Sequence, residues 1–168
     1  GAHLGSHRVR VAKQQAFVAA GAIETLVQQA NRLRDPTVST GMRLWMAKLL
    51  ACLVAGNADA QREAAESPGP SILAAMVQQL CQPNLDNAIY GATSEALAAL
   101  ADGSDDSQRL IGAEPGTIPR LVELLGMREF SVQQAAALAL GTMAADSTDI
   151  RDAIVNANAV PGLVPLLS

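Results

Sequence analysis

The stretch Val132-Gln133-Gln134-Ala135-Ala136-Ala137-Leu138-Ala139-Leu140-Gly141-Thr142-Met143-Ala144-Ala145 decides the fold. Ala137, Leu140, Met143 and Ala144 fall at i, i+3, i+6 and i+7, one face of a helix. Ala and Leu are strong helix formers, and small Ala side chains let a second helix come close. The same register occurs twice upstream. Ile89 through Gly103 carries Ser94, Leu97, Leu100 and Ala101, and Met42 through Gly56 carries Ala47, Leu50, Leu53 and Val54. The copies are offset by 47 and then 43 residues, a period that belongs to helical repeat arrays.

Two shorter helices are expected before each long one. The second of them has an apolar stripe, clearest at Ile118, Leu121, Val122 and Leu125. It recurs at Leu73, Met76, Val77 and Leu80, at Ile23, Leu26, Val27 and Ala30, and begins again at Val160, Leu163, Val164 and Leu167. The first short helix is marked by Phe17, Ala65, Ile111 and Ile154. Between the two lie Ala20-Gly21-Ala22, Pro68-Gly69-Pro70, Pro115-Gly116-Thr117 and Asn158-Ala159. Gly gives positive φ, Pro stops a helix, and Asn tolerates the left-handed region where Gly is missing. Gly56, Gly103 and Asp146 end the long helices, where Gly suits a left-handed C-cap. Ser104, Ser147 and Thr148 are N-cap candidates, and Pro119 and Pro161 suit a first helical turn.

The unit is therefore short helix, short helix, long helix, and no unit buries its apolar face alone. The expected units are 8–56, 57–103, 104–146 and a partial 147–168. The array stops partway through a repeat, as a fragment of a longer solenoid would. Residues 1–7 are set aside as an expression remnant or a disordered leader.

Composition agrees with an all-α fold. Hydrophobic residues make up 49% of the chain, yet the aromatics are only Phe17, Trp45, Tyr90 and Phe130. A β-sandwich needs more β-branched and aromatic residues at period two. The net charge of −4 offers no basic face for nucleic acid, since Arg8, Arg10 and Lys13 read as a solvated helix face. No apolar run reaches the ~18 residues of a membrane span. Cys52 and Cys81 form no CxxC and are expected as buried free thiols, which suits a reducing, intracellular compartment.

The motifs resemble the armadillo repeat. Ile118-Pro119-Arg120-Leu121-Val122-Glu123-Leu124-Leu125 is similar to that family's second helix, Val132 to Ser147 to its third, and Ala153 to Leu167 to its joint. The likeness covers residues 8–168, is most specific from Gln108 onward, and weakens upstream where Ser71 and its neighbours lengthen a joint. Two-helix HEAT repeats are the second choice. The resemblance implies an all-α, right-handed superhelical solenoid of about three repeats plus a partial end unit. It also implies a protein or peptide partner along a concave face lined by third helices.

In the importin-α type of this family, Trp and Asn residues on successive third helices grip the peptide backbone. Here the Trp-equivalent positions hold Lys48, Glu95 and Leu138, and the Asn-equivalent positions hold Cys52, Ala99 and Thr142. Import-receptor activity is not expected. Trp45 lies three residues off the gripping position and is assigned to core or edge packing. The expected binding strip is Lys48, Glu95, Gln134, Leu138 and Thr142, mixed and weakly polar, suited to a protein surface or helix.

No catalytic constellation is present. HExxH, P-loop, GxSxG and GxGxxG signatures are absent, and the two histidines, His3 and His7, fall in the leader. Asp102, Asp105 and Asp106 lack the ligand spacing of an EF-hand and read as loop and helix-start acids. The expectation is a non-enzymatic scaffold, with no cofactor and no metal, in the cytoplasm or nucleus. A structural segment of a cytoskeletal or ciliary assembly is the alternative. A HEAT-like chromophore lyase is a distant third.

Overall fold

The computed structural model describes residues 2–35, 37–66 and 72–164. All described elements are helical. They are α1 (Ala2–Ala19), α2 (Ala22–Ala30), α3 (Thr40–Val54), α4 (Ala58–Glu66), α5 (Ile72–Cys81), α6 (Asn87–Ala101), α7 (Asp105–Ala113), α8 (Thr117–Leu125), α9 (Phe130–Ala144), α10 (Thr148–Asn156) and α11 (Val160–Leu163). A 3-10 turn spans Asn31–Arg34.

The helices stack in layers. α3, α6 and α9 lie side by side, and α2, α5, α8 and α11 form a second row. Each later first helix packs on the preceding second helix: α4 on α2, α7 on α5, α10 on α8. The faces expected from the sequence form the core. Ala47, Leu50, Leu53 and Val54 of α3 are buried, as are Ser94, Leu97, Leu100 and Ala101 of α6. In α9, Leu140 and Met143 are buried while Ala137 and Ala144 are half-buried. The second-helix stripes of α2 and α5 are buried throughout, and Val122 alone of the α8 stripe is half-buried. The fourth stripe departs from expectation. Val160 and Val164 are exposed and Leu163 half-buried, because no third helix follows them among the described residues.

The turns form as their residues dictate. Gly56 and Gly103 follow the last turns of α3 and α6 at φ +66° and +70°. At the joints Gly21, Gly116 and Asn158 take φ +76°, +88° and +61°. Pro68-Gly69-Pro70 lies outside the described residues. Ser104 and Ser147 accept from the backbone N–H of Ser107 and Ile150, while Thr148 is the first helical residue and caps nothing.

Polar side chains fasten the layers. The amide of Gln61 in α4 donates to the carbonyls of Ala99 and Asp102 at the end of α6. Gln14, 47 residues earlier, does the same to Cys52 and Ala55 at the end of α3. Helix ends leave carbonyls without intrahelical partners, and these glutamines supply donors. Arg120 links three helices: its Nε donates to Leu80 O at 3.0 Å, its guanidinium lies 4.9 Å from the Tyr90 ring centroid, and Nη1 meets Glu123 at 2.7 Å. Arg43 is buried and donates to the carbonyls of Leu33, Asp35 and Val38, holding the segment between α2 and α3.

Two expectations need correction. Cys52 and Cys81 are exposed, not buried. Cys52 lies on the side of α3 turned away from Leu50 and Leu53, and Cys81 ends α5 beside the Gly116 carbonyl. Phe17 is exposed, because α1 has no earlier second helix to pack on among the described residues. The backbone of residues 2–7 is helical and continues α1.

Candidate functional site

The third helices carry the residues expected to bind. The core face of each points toward the second helices, which leaves the opposite face open. Lys48, Glu95 and Leu138 hold equivalent positions on α3, α6 and α9, and all three are exposed. Because α3, α6 and α9 are neighbours, the three side chains form a row that crosses the stack. Gln134 is exposed one turn before Leu138, and Thr142 is half-buried one turn after it.

The row is chemically uneven. It offers a cation, an anion and an apolar side chain, with Leu138 54% exposed. The second row, Cys52, Ala99 and Thr142, has little donor capacity. The Thr142 hydroxyl lies 3.0 Å from both Leu138 O and Ala139 O of its own helix, so its single proton is used locally. A backbone-gripping ladder needs side chains that both donate and accept at each step, and this row has none.

Trp45 is the residue that periodicity misplaced. It is 67% exposed rather than packed in a core or at an edge. The Lys48 ammonium stands over its ring, 5.7 Å from the centroid, a cation–π contact. Met42 and Leu49 are exposed beside it on α3. The signal lay in the repeat register: the other copies hold Ala92 and Ala135 where this one holds Trp45.

Other recesses are plainer. A cleft of about 690 Å³ separates α4 and α7, with Ala65, Leu110 and Ala113 along it. Its two arginines are engaged, Arg62 with Asp59 and Arg109 with Asp106. Asp105 and Asp106 sit in the first turn of α7, where the helix dipole favours acids, and Asp102 follows α6. Among the described residues no group of His, Cys, Asp or Glu is gathered for a metal ion. No described helix is long and apolar enough to cross a membrane.

Residues 105–145 match the family model of the Armadillo/beta-catenin-like repeat. That span covers α7, α8 and α9, about a quarter of the chain, so these three helices are similar to one armadillo repeat, and the described elements on either side of them are helical as well. No curated protein matches the chain.

Proposed function

We propose that the chain is a non-enzymatic interaction scaffold that holds a partner protein along the open face of its third helices. The observation that carries this reading is the exposed row Lys48, Glu95 and Leu138, one residue from each stacked helix. Gln134 and Thr142 extend it along α9. An armadillo repeat at 105–145 supports an interaction role, since such repeats serve as scaffolds. We assign the repeat units to 8–56, 57–103, 104–146 and the partial 147–168, in the cytoplasm or nucleus.

The type of partner follows from hydrogen-bond supply. An extended peptide brings unpaired backbone N–H and C=O groups, which lose water on docking and need new partners. Ala99 supplies no side-chain donor and the Thr142 proton stays within α9. A helix or folded surface arrives with its backbone already paired. It needs only an acidic group near Lys48, a basic one near Glu95 and an apolar one at Leu138. Partner capture from source extract by the wild type, compared with Glu95→Lys and Leu138→Asp, tests the reading. Loss of a captured protein with helical CD unchanged supports it, and identical capture by all three sinks it.

A further inference from the structure

A recess of about 240 Å³ opens where the start of α7 meets the turn between α9 and α10. Asp105, Gln108 and Arg109 line it from α7, and Asp146, Ser147 and Thr148 from the turn and the start of α10. None of them belongs to the row of Lys48, Glu95 and Leu138.

Gln108 sets this recess apart. It is 1% exposed, and its Nε2 donates to Ala101 O at 3.2 Å. Its Oε1 is buried with no hydrogen-bond partner among the described residues. A buried acceptor left without a donor loses its water and gains nothing in return. The counterpart Gln61 turns the other way, to Ala99 O and Asp102 O. In the third unit the carbonyl that corresponds to Asp102 O is that of Ala145, and Arg151 Nη2 already donates to it. Gln108 turns back instead, and its carbonyl end is left over.

The acids of the wall are particular to this unit. The unit before holds Ala58 and Gly103 where Asp105 and Asp146 stand. Asp146 does not adopt the positive φ of Gly56 and Gly103, so the backbone gives no reason for an acid there. Both carboxylates are exposed, and neither has an ion-pair partner among the described residues. Local departures from a repeated pattern are where function is to be sought.

We propose that this recess binds a guanidinium group, the side chain of an arginine on a partner protein, held by the Asp105 and Asp146 carboxylates and the Gln108 carbonyl oxygen.

The chemistry of the wall selects this ligand. Asp105, Asp146 and Gln108 Oε1 all accept, so the occupant must donate at several points. A guanidinium carries five N–H groups in a planar fork and reaches separated acceptors together, which a single ammonium does less well. Charge agrees. Arg109, the cation in the wall, is engaged with Asp106, which leaves the two lining carboxylates unneutralised. The positive ends of α7 and α10 are offset by Asp105, Asp106 and Asp149 in their first turns. A calcium ion fits less well. It takes six to eight oxygens, whereas the wall offers two carboxylates and one amide oxygen, and Ser147 Oγ already accepts from the Ile150 N–H.

The test is an NMR titration of the full chain with N-acetyl-arginine methylamide, following the backbone amides and the Gln108 side-chain amide. The expected result is saturable shifts at Asp105, Gln108, Asp146 and Ser147, which weaken as salt is added. Asp105→Asn and Asp146→Asn, both at exposed sites, are each expected to weaken binding about tenfold with the helical CD unchanged. Glu95→Lys on the open face is expected to leave it unchanged, so failure here is distinct from failure of the scaffold reading. The citrulline counterpart keeps the shape without the charge, and the lysine counterpart keeps the charge without the fork. Both are expected to bind about tenfold more weakly or worse. Absence of saturable shifts with the arginine compound overturns the proposal. So does equal binding of the citrulline or lysine compound, or wild-type binding in both aspartate variants. Shifts centred on other acids, such as Asp59 and Glu66, overturn it as well, as does tighter binding of calcium ion added as calcium chloride.

Discussion

The Gln61 side-chain amide donates to the Ala99 carbonyl at 2.8 Å, tying the first helix of one repeat to the third helix of the same repeat. A second bond from the same nitrogen reaches Asp102 O at 2.9 Å. Gln61 is buried, so its removal leaves two helix-end carbonyls short of donors. Gln61→Ala is expected to lower stability by about 1–3 kcal/mol. Gln14→Ala, at a half-exposed site, is expected to cost less, because water replaces the lost donor there. Urea denaturation followed by CD gives both numbers.

Among the described residues Arg43 donates its hydrogen bonds to backbone carbonyls. Its Nη1 and Nη2 lie 2.6 Å and 2.7 Å from Leu33 O and Asp35 O, and Nε lies 3.3 Å from Val38 O. The planar guanidinium matches three acceptors spread around it, and a lysine ammonium cannot reach them together. Arg43→Lys and Arg43→Met are both expected to destabilise, by about 3 kcal/mol for Met. Thermal melts that place Arg43→Lys level with the wild type contradict the clamp.

The left-handed residues make opposite predictions. Gly103 sits at φ +70° with nothing within 4 Å of a would-be Cβ, so Gly103→Ala isolates conformational strain. The expected loss is about 1–2 kcal/mol. Asn158 occupies the same region at φ +61°, and Asn158→Gly relieves the strain of its Cβ. It is expected to be neutral or stabilising by a few tenths of a kcal/mol. Melting temperatures of the two variants, measured side by side, check the signs.

Cys81 gives a pH readout. Although Cys81 is exposed as a residue, its thiol sits against the end of α5 and the Gly116 carbonyl, and this partial loss of water pushes it above the ordinary value, with Arg120 pulling the other way and Glu123 pushing it further up. The thiolate is the nucleophile, so a raised pKa depletes it at neutral pH. In a Cys52→Ser background, Cys81 is expected to alkylate more slowly than a free cysteine at neutral pH, and to accelerate as pH rises through its raised pKa. Mass spectrometry of iodoacetamide labelling against pH measures this. A rate equal to that of a free thiol near neutrality contradicts it.

The fold was legible because core contacts repeat. Leu50, Leu97 and Leu140 recur at one register and are all buried. Asn158 falls at the joint by its place in the repeat and tolerates positive φ where Gly is missing, and it takes that conformation. What was missed depends on neighbours. Trp45 occupies a position that is buried in the later copies, at Ala92 and Ala135, and sequence spacing does not say which helices lack a neighbour among the described residues. Cys52 was misassigned because an apolar run was taken as wholly buried, whereas one side of a third helix stays open. The glutamine clamps were visible in principle, since Gln14, Gln61 and Gln108 recur every 47 residues. Their partners were not, because Gln108 turns back to Ala101 O instead of reaching its own third helix.

The central claim is that the open face of the third helices holds a partner protein. The most direct measurement is quantitative mass spectrometry of proteins captured from source extract by the wild type and by the Glu95→Lys/Leu138→Asp double variant. Both substituted residues are exposed, so the variant is expected to keep the wild-type CD spectrum. The account predicts at least one captured protein depleted tenfold or more by the variant. Recovery of the same proteins in the same amounts, with the fold intact, would contradict it.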